Sequence, residues 1–177
     1  MTALSVNASL EPIGFVGFSP HRGKMLCCSN LSAYSQLSWL RCALCQLGRI
    51  FFELTNKMSL SPVAYMTVQK IYAGWAFFGI PIITALLLTS IHTFTMRNDR
   101  AAFLMSVTAV LCLAATQVIF WIFTYPINVA TNNWTIAPEA FEAARRQWEY
   151  SHAVNAVLTF VAFVAIVLSV LSHKGQG

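Results

Sequence analysis

Charged side chains are scarce in this chain of 177 residues, since only 10% are Asp, Glu, Lys or Arg whereas 57% are hydrophobic. A soluble globular domain carries about 25% charged residues, so this chain could not cover its apolar surface in water. Its 11 basic residues exceed its 6 acidic ones, but no basic cluster is longer than Arg145-Arg146. Nucleic-acid binding requires a basic stripe or patch, and we therefore expect no nucleic-acid partner.

Metal-binding motifs are also scarce. Four of the five cysteines fall between Cys27 and Cys45, and they include one CxxC pair, Cys42 and Cys45. A structural zinc site takes four ligands, and no second pair stands at the spacing that such a site needs. We therefore predict no metal and no cofactor, and interpret the cysteines as reduced, partly buried thiols.

Long apolar runs, by contrast, occupy the last two thirds of the chain. The segments 73–95, 101–127 and 153–171 are largely apolar and contain no Asp, Glu, Lys or Arg, and about 20 helical residues suffice to cross the core of a bilayer. Only residues 96–100 separate the first two segments, so these helices should form an antiparallel hairpin. We predict an all-α integral membrane protein of the cell (plasma) membrane, a helical bundle with three spans in up-down topology and the lipid bilayer as its surroundings.

The N-terminal third fits this bundle less well. Residues 31–52 are moderately apolar but contain Arg41 and Arg49, and an arginine at the centre of a spanning helix costs about 2.5 to 3.5 kcal/mol on insertion scales. Composition alone therefore leaves a fourth, N-terminal helix open. Because Gly, Ser, Pro and Cys are scattered over residues 1–46 without a helical period, we predict that they form an atypical segment, an altered or over-extended start, before a membrane bundle of residues 47–177.

A polar loop and a long helix follow the second span. Pro138 is favoured in the first turn of a helix, and Glu139 beside it suits the positive end of the helix dipole. No glycine or further proline interrupts the chain before Leu171. A helix over 138–171 would be about 51 Å long, so its first half should lie outside the bilayer. The loop and the extramembrane helix are therefore predicted over 128–152.

Polar and aromatic side chains recur along one face of this long helix. Arg145, Trp148, His152 and Asn155 follow one another at steps of three, four and three residues, and this spacing places them on one side of a helix. Polar groups are costly against lipid. We therefore expect this face to point into the bundle or into a watery cavity.

The second span carries a matching stripe of Gln117, Trp121 and Asn128. Two such stripes facing each other would bind a small apolar or aromatic ligand between the helices. The alternative interpretation is structural, because aromatic residues anchor helices at membrane interfaces and the aliphatic stem of Arg145 can carry its charge to water. The stripes would then only specify helix packing in a non-catalytic scaffold or interaction protein.

Several motifs after residue 47 resemble those of one membrane family. They are Asn56-Lys57-Met58, Tyr72-Ala73-Gly74-Trp75, Asn133-Trp134-Thr135, and Trp148 followed four residues later by His152. In the order and spacing of these motifs, nearly three quarters of the chain resembles the anthrone-oxygenase-like small integral membrane proteins, catalogued as domain of unknown function 1772. The resemblance implies four helices, the first of which ends near Glu53.

The resemblance also implies a chemistry. A few members of that family are implicated in oxidising anthrones to anthraquinones with O₂ and without a metal or flavin, so an enzyme here would be a cofactor-independent oxygenase of anthrone-like aromatics. His152 would be the base that forms the enolate, and Arg145 or Gln117 would stabilise its oxygen. Trp148 and Trp121 would hold the flat ring. The remaining candidate ligand-binding residues are Asn155, where the family often has arginine, Asn128 and Trp75.

Overall fold

The computed structural model describes residues 38–42, 44–45, 48–49, 51–72, 74, 77 and 79–174. The predicted all-α class is confirmed, because helices account for the regular structure and no strand occurs within these residues. The elements in chain order are a helical segment at 51–58, α1 (Pro62–Gln69), a 3₁₀ turn (Lys70–Tyr72), α2 (Gly79–Thr95), α3 (Arg100–Ile119), a π-helix (Phe120–Thr124), α4 (Tyr125–Ala130) and α5 (Phe141–Lys174).

Two helical stretches are long and apolar enough to cross a membrane. One runs without a break through α3, the π-helix and α4, over Arg100–Ala130, and the other is Phe141–His173 within α5. Helix α2 is shorter, with 17 residues. Two of the three predicted spans therefore have the length and composition to cross a membrane, and α2 falls just below the length of a typical span.

The segment 73–95 is helical over a shorter range than predicted, because α2 begins only at Gly79. Pro81 supplies the physical reason. The first four N–H groups of a helix have no partner inside it, so a proline in the first turn loses no hydrogen bond and favours helix initiation there. Before this start the chain makes a turn at Gly74, whose φ of 82° suits glycine.

The π-helix interrupts the regular hydrogen bonding of the second predicted span. In an α-helix the ring of Pro126 would clash with the carbonyl four residues earlier, and proline has no N–H to donate to it. The wider π-turn directly before Pro126 accommodates this conflict. Helix α5 supports the segment, because the side-chain amide of Gln147 donates to the Phe123 carbonyl at 2.9 Å and the hydroxyls of Thr124 and Ser151 lie 2.7 Å apart.

The core lies between three helices. Helix α3 packs most extensively on α5, and α2 packs on α3. Residues 96–99 alone connect α2 to α3, so these two helices form the predicted hairpin. The buried cluster consists mainly of small and aliphatic residues, which let helix backbones approach closely. Its members from these helices are Ala85, Ala109, Leu113, Ala162, Ala165 and Ile166.

One residue of the expected atypical segment, Leu40, is fully buried in the same cluster. It belongs to the helical residues 38–42, so part of the chain before residue 47 packs on the bundle. The rest of the segment up to residue 37 lies outside the described residues. The boundary at residue 46 therefore stays a prediction.

The long C-terminal helix was predicted over 138–171 and is found at Phe141–Lys174, with the same length of 34 residues. The shift has a local cause. Residues 131–136 form a compact turn, and Pro138 follows it outside the helix. The first backbone hydrogen bond of the helix start runs from the Ala144 N–H to the Ala140 carbonyl at 3.0 Å.

Leucine side chains on α3 test this packing. Leu113→Ala removes a fully buried side chain from the core, and we expect it to lower the free energy of unfolding by about 2 to 5 kcal/mol because it leaves a cavity. The matched control is Leu111→Ala, since Leu111 is 64% exposed and its replacement should cost about 0.5 kcal/mol or less. Unfolding in mixed micelles followed by circular dichroism measures both, and equal losses would contradict the fold.

Candidate functional site

A buried ion pair joins the helical segment 51–58 to α5. Lys57 Nζ lies 2.5 Å from Glu149 Oε1, and the two residues are only 3% and 0% exposed. Removing such charges from water costs several kcal/mol per ion, and their mutual attraction offsets this desolvation free energy only when further hydrogen bonds satisfy both groups. The surroundings of the pair therefore decide whether it is stable.

Helix α1 supplies hydrogen-bond donors to the carboxylate. The Tyr65 hydroxyl donates to Glu149 Oε1 at 2.8 Å, and the Gln69 amide lies 3.4 Å from the same oxygen. Tyr65 and Gln69 are four residues apart, so they lie on one face of α1, and the Gln69 amide also donates to the Tyr65 hydroxyl. The second carboxylate oxygen, Glu149 Oε2, is buried without a hydrogen-bond partner.

Aromatic rings surround the ammonium group. Lys57 Nζ lies 4.5 Å from the centroid of the Tyr72 ring, 4.8 Å from that of Trp148 and 5.6 Å from that of Tyr65. A cation at these distances is attracted by the negative ring faces, and the attraction strengthens when water is excluded. Lys57 also donates to the Tyr72 hydroxyl at 3.4 Å. The positive charge is thus held by three rings, one hydroxyl and one carboxylate.

Burial shifts the pKa values of the groups in this cluster. These groups lie outside the predicted span 153–171. Burial lowers the pKa of Lys57, and the Glu149 carboxylate opposes this shift. Burial likewise raises the pKa of Glu149 against the opposing effect of Lys57. Each charge therefore depends on the other. The pKa of Tyr65 is raised, first by burial and then by the Glu149 charge, so Tyr65 remains a donor.

A second layer of aromatic rings packs around Tyr65. The Trp134 ring lies edge-on to Tyr65 at 5.0 Å between centroids and to Trp148 at 6.1 Å, and Phe141 lies edge-on to Tyr65 at 5.6 Å. Trp134 is only 3% exposed although its φ is 64°, a conformation that costs free energy for a bulky residue. The Thr131 hydroxyl holds the backbone there by accepting from the backbone N–H of Trp134 at 3.0 Å.

Arg145, predicted to stabilise an enolate oxygen, is buried and bonded within the protein. One guanidinium nitrogen donates to the Leu60 carbonyl at 2.8 Å, and another lies 2.6 Å from Glu142 Oε2. The guanidinium also lies 5.4 Å from the centroid of the Tyr65 ring. In the structure, Arg145 therefore fastens α5 to the loop before α1.

Trp148 and His152 lie together, as the spacing predicted, and Asn128 joins them from the other predicted stripe. The Trp148 indole N–H donates to Asn128 Oδ1 at 2.8 Å. The His152 ring lies 4.0 Å from the Trp148 ring, and His152 Nδ1 is 2.9 Å from the Trp148 carbonyl oxygen. A carbonyl can only accept, so Nδ1 carries the proton and Nε2 of the neutral ring keeps its lone pair.

Gln117 and Trp121, also predicted to bind a ligand, contact residues other than Trp148. The Gln117 amide donates to the hydroxyl of its neighbour Thr116 at 3.3 Å. Trp121 is 59% exposed, and its ring contacts that of Tyr125 at 4.9 Å. Asn155 is buried with an unpaired Oδ1. Trp75 lies outside the described residues.

Helical spacing and motifs do not identify the pair of Lys57 and Glu149 as the centre of this site. One feature of the sequence does point to Glu149, and that is the scarcity of charged residues. In a chain with only 6 acidic residues, a glutamate directly after Trp148 on an aromatic-rich face is unusual. Among the described residues, no group of three or more His, Cys, Asp or Glu side chains is placed to hold a metal ion.

The substitution Lys57→Met tests the buried pair. We expect it to lower the free energy of unfolding by about 3 to 5 kcal/mol, because it leaves the buried Glu149 charge uncompensated. The control is Arg49→Met, which breaks the exposed ion pair with Glu53 and should change stability little. Denaturation in mixed micelles compares the two variants, and an equally small loss for Lys57→Met would contradict the assignment.

Comparison with known proteins gives no match, since no family model, no curated protein and no solved structure is similar to this chain. The resemblance to the anthrone-oxygenase-like proteins therefore stays an expectation from the sequence motifs.

Proposed function

We propose that this protein is a multi-pass helical protein of the cell membrane that binds a small, flat aromatic ligand beside Trp148. The observation that carries the ligand proposal is the position of Trp148, whose ring contacts both the Lys57 ammonium and the His152 imidazole. A flat apolar surface, a cation and a base thus meet in one place. These are the groups that an aromatic ligand with an acidic C–H and a carbonyl oxygen requires.

The exposure of the two long helices supports the membrane proposal. In the most apolar windows of Arg100–Ala130 and Phe141–His173, only 22% and 39% of the residues are buried. The core helix of a soluble protein would bury most of such a segment. Side chains such as Leu111, Phe160 and Leu171 are instead more than half exposed. Large exposed apolar surfaces mark contacts with a partner or a membrane. Because the exposed apolar surface extends along two whole helices, lipid is the environment that suits it best.

The chemistry that the resemblance implies can be written with groups near Trp148. His152 Nε2 removes a proton from the CH₂ group of an anthrone, and Lys57 stabilises the negative oxygen of the enolate. The enolate carbon then forms a bond to O₂, and the resulting peroxide takes up the proton. Loss of one water from this hydroperoxide gives the carbonyl group. The substrate CH₂ is oxidised by four electrons and O₂ is reduced to the level of water, so no further reductant is required.

Turnover of emodin anthrone by the purified protein in detergent tests this proposal. We expect the anthraquinone to form faster than in buffer, and His152→Ala to lower the rate by about 10²- to 10⁴-fold because a general base is lost. The control is His173→Ala, at the C-terminal end of the same helix, where the imidazole lies 3.3 Å from Asp99. A rate equal to that of buffer, or an unchanged rate for His152→Ala, would end the anthrone proposal.

A non-catalytic scaffold or interaction protein is the second candidate, and one observation favours it. Arg145 donates to the Leu60 carbonyl, and Asn128 accepts from the Trp148 indole. Such hydrogen bonds within the protein are typical of polar groups that specify helix packing. A correctly folded protein that neither converts nor binds emodin anthrone would select this candidate.

A further inference from the structure

A continuous series of hydrogen-bonded groups leads from buried Glu149 to Glu53. The Lys57 ammonium lies 2.5 Å from Glu149 Oε1 and 3.4 Å from the Tyr72 hydroxyl. The Tyr72 hydroxyl in turn donates to Glu53 Oε2 at 2.7 Å. The side chain of Glu53 is 30% exposed and pairs at its other oxygen with Arg49, whose side chain is 56% exposed. The series therefore begins inside the protein and ends at its surface.

The donors along this series point in one direction. Lys57 donates to the Tyr72 oxygen, and Tyr72 donates to the Glu53 carboxylate. In a concerted transfer Glu53 takes the Tyr72 proton as Tyr72 takes one from Lys57 and Lys57 takes one from a protonated Glu149, so no tyrosinate forms although burial raises the pKa of Tyr72. The net change is the transfer of one proton from Glu149 to Glu53, which can release it at the surface. Lys57 and Tyr72 return to their starting protonation states, and no electron moves.

At the buried end of the series, one carboxylate oxygen has no hydrogen-bond donor. Glu149 Oε2 is buried without a hydrogen-bond partner, and so is Gln69 Oε1 nearby. A carboxylate placed only for packing would be expected to have both oxygens paired, because an unpaired buried acceptor is costly. Glu149 therefore combines one oxygen that belongs to the series with a second, buried oxygen that has no hydrogen-bond partner within the described protein.

We propose that Glu149, Lys57, Tyr72 and Glu53 form a proton path that exchanges protons between the interior of the polar cluster and the protein surface. The path does not depend on the identity of a ligand. It would serve any reaction at this site that releases or takes up a proton.

The other titratable groups around Glu149 do not complete such a route. Tyr65 donates to Glu149 from α1, but it leads only to the Gln69 amide, which cannot relay a proton. On α5 itself, the Arg145 guanidinium is engaged by the Leu60 carbonyl and by Glu142, and His152 bonds to the Trp148 carbonyl. Tyr65 therefore serves as a matched control for Tyr72.

Time-resolved infrared spectroscopy after a pH jump tests the path in the full chain in detergent. The carboxyl bands of Glu149 are assigned as those lost in Glu149→Gln. In the unsubstituted protein we expect these bands to follow the pH jump, and Tyr72→Phe to slow their response at least about tenfold because one relay group is missing. Tyr65→Phe, which removes the hydroxyl on the closed branch, should leave the rate within about twofold even where it shifts the midpoint.

A second variant keeps the test decisive if Tyr72→Phe loses helix content. Glu53→Gln changes only the partly exposed end of the path, and the same slowing is expected. The path is overturned if Tyr72→Phe and Glu53→Gln respond as fast as the unsubstituted protein, or if Tyr65→Phe is slowed as much as Tyr72→Phe. It is also overturned if no Glu149 band changes between about pH 4 and pH 9, the range in which a buried carboxyl group titrates. None of these results depends on turnover of an anthrone.

Discussion

The ion pair between Lys57 and Glu149 is the interaction on which the polar half of this protein depends. Neither charge is stable alone in the dry interior. The pairing therefore fixes the segment that carries Lys57 relative to the helix that carries Glu149. The pair holds the helical segment 51–58 against α5, and α1 contributes Tyr65 to the same carboxylate. The helical segment 51–58 and α1 are thereby attached to the long helix.

The same requirement accounts for the composition of the site. A buried ammonium group needs acceptors and ring faces around it, and Tyr72 and Trp148 provide them. Because Trp148 is fixed in this way, His152 packs against its ring with a defined orientation. Features that serve stability thus also produce a rigid arrangement of cation, aromatic surface and base. This is why a proposal for ligand binding and one for packing can rest on the same residues.

Periodicity and composition were sufficient for the parts of the structure that depend on local sequence. The all-α class, the two long apolar helices and the common face of Trp148 and His152 follow from apolar length and helical spacing. Pro126 produced the main departure from the predicted helix geometry. A π-turn adds a residue to one turn, so the residues after it are rotated by about 100° relative to those before it. Trp121 and Asn128 lie within and after this segment, and their predicted stripe is broken for that reason.

The centre of the site could not be derived from spacing, because Lys57 and Glu149 are far apart in the chain and belong to different elements. Their partnership is a tertiary contact between a short helical segment and a long one. Lys57 belongs to the Asn56-Lys57-Met58 motif and Glu149 follows Trp148 directly, but no local rule joins the two. The same applies to Tyr65, which reaches Glu149 across the cluster.

A double-mutant cycle with Lys57→Met and Glu149→Leu measures the central interaction most directly. The free energies of unfolding of the unsubstituted protein, both single variants and the double variant are determined in the same micelles. If the buried pair is as described, the double variant will lose about 1 to 3 kcal/mol less than the two single losses added together, since no uncompensated charge remains. Losses that add to within about 0.5 kcal/mol would show that the two residues do not interact, and would contradict this account of the site.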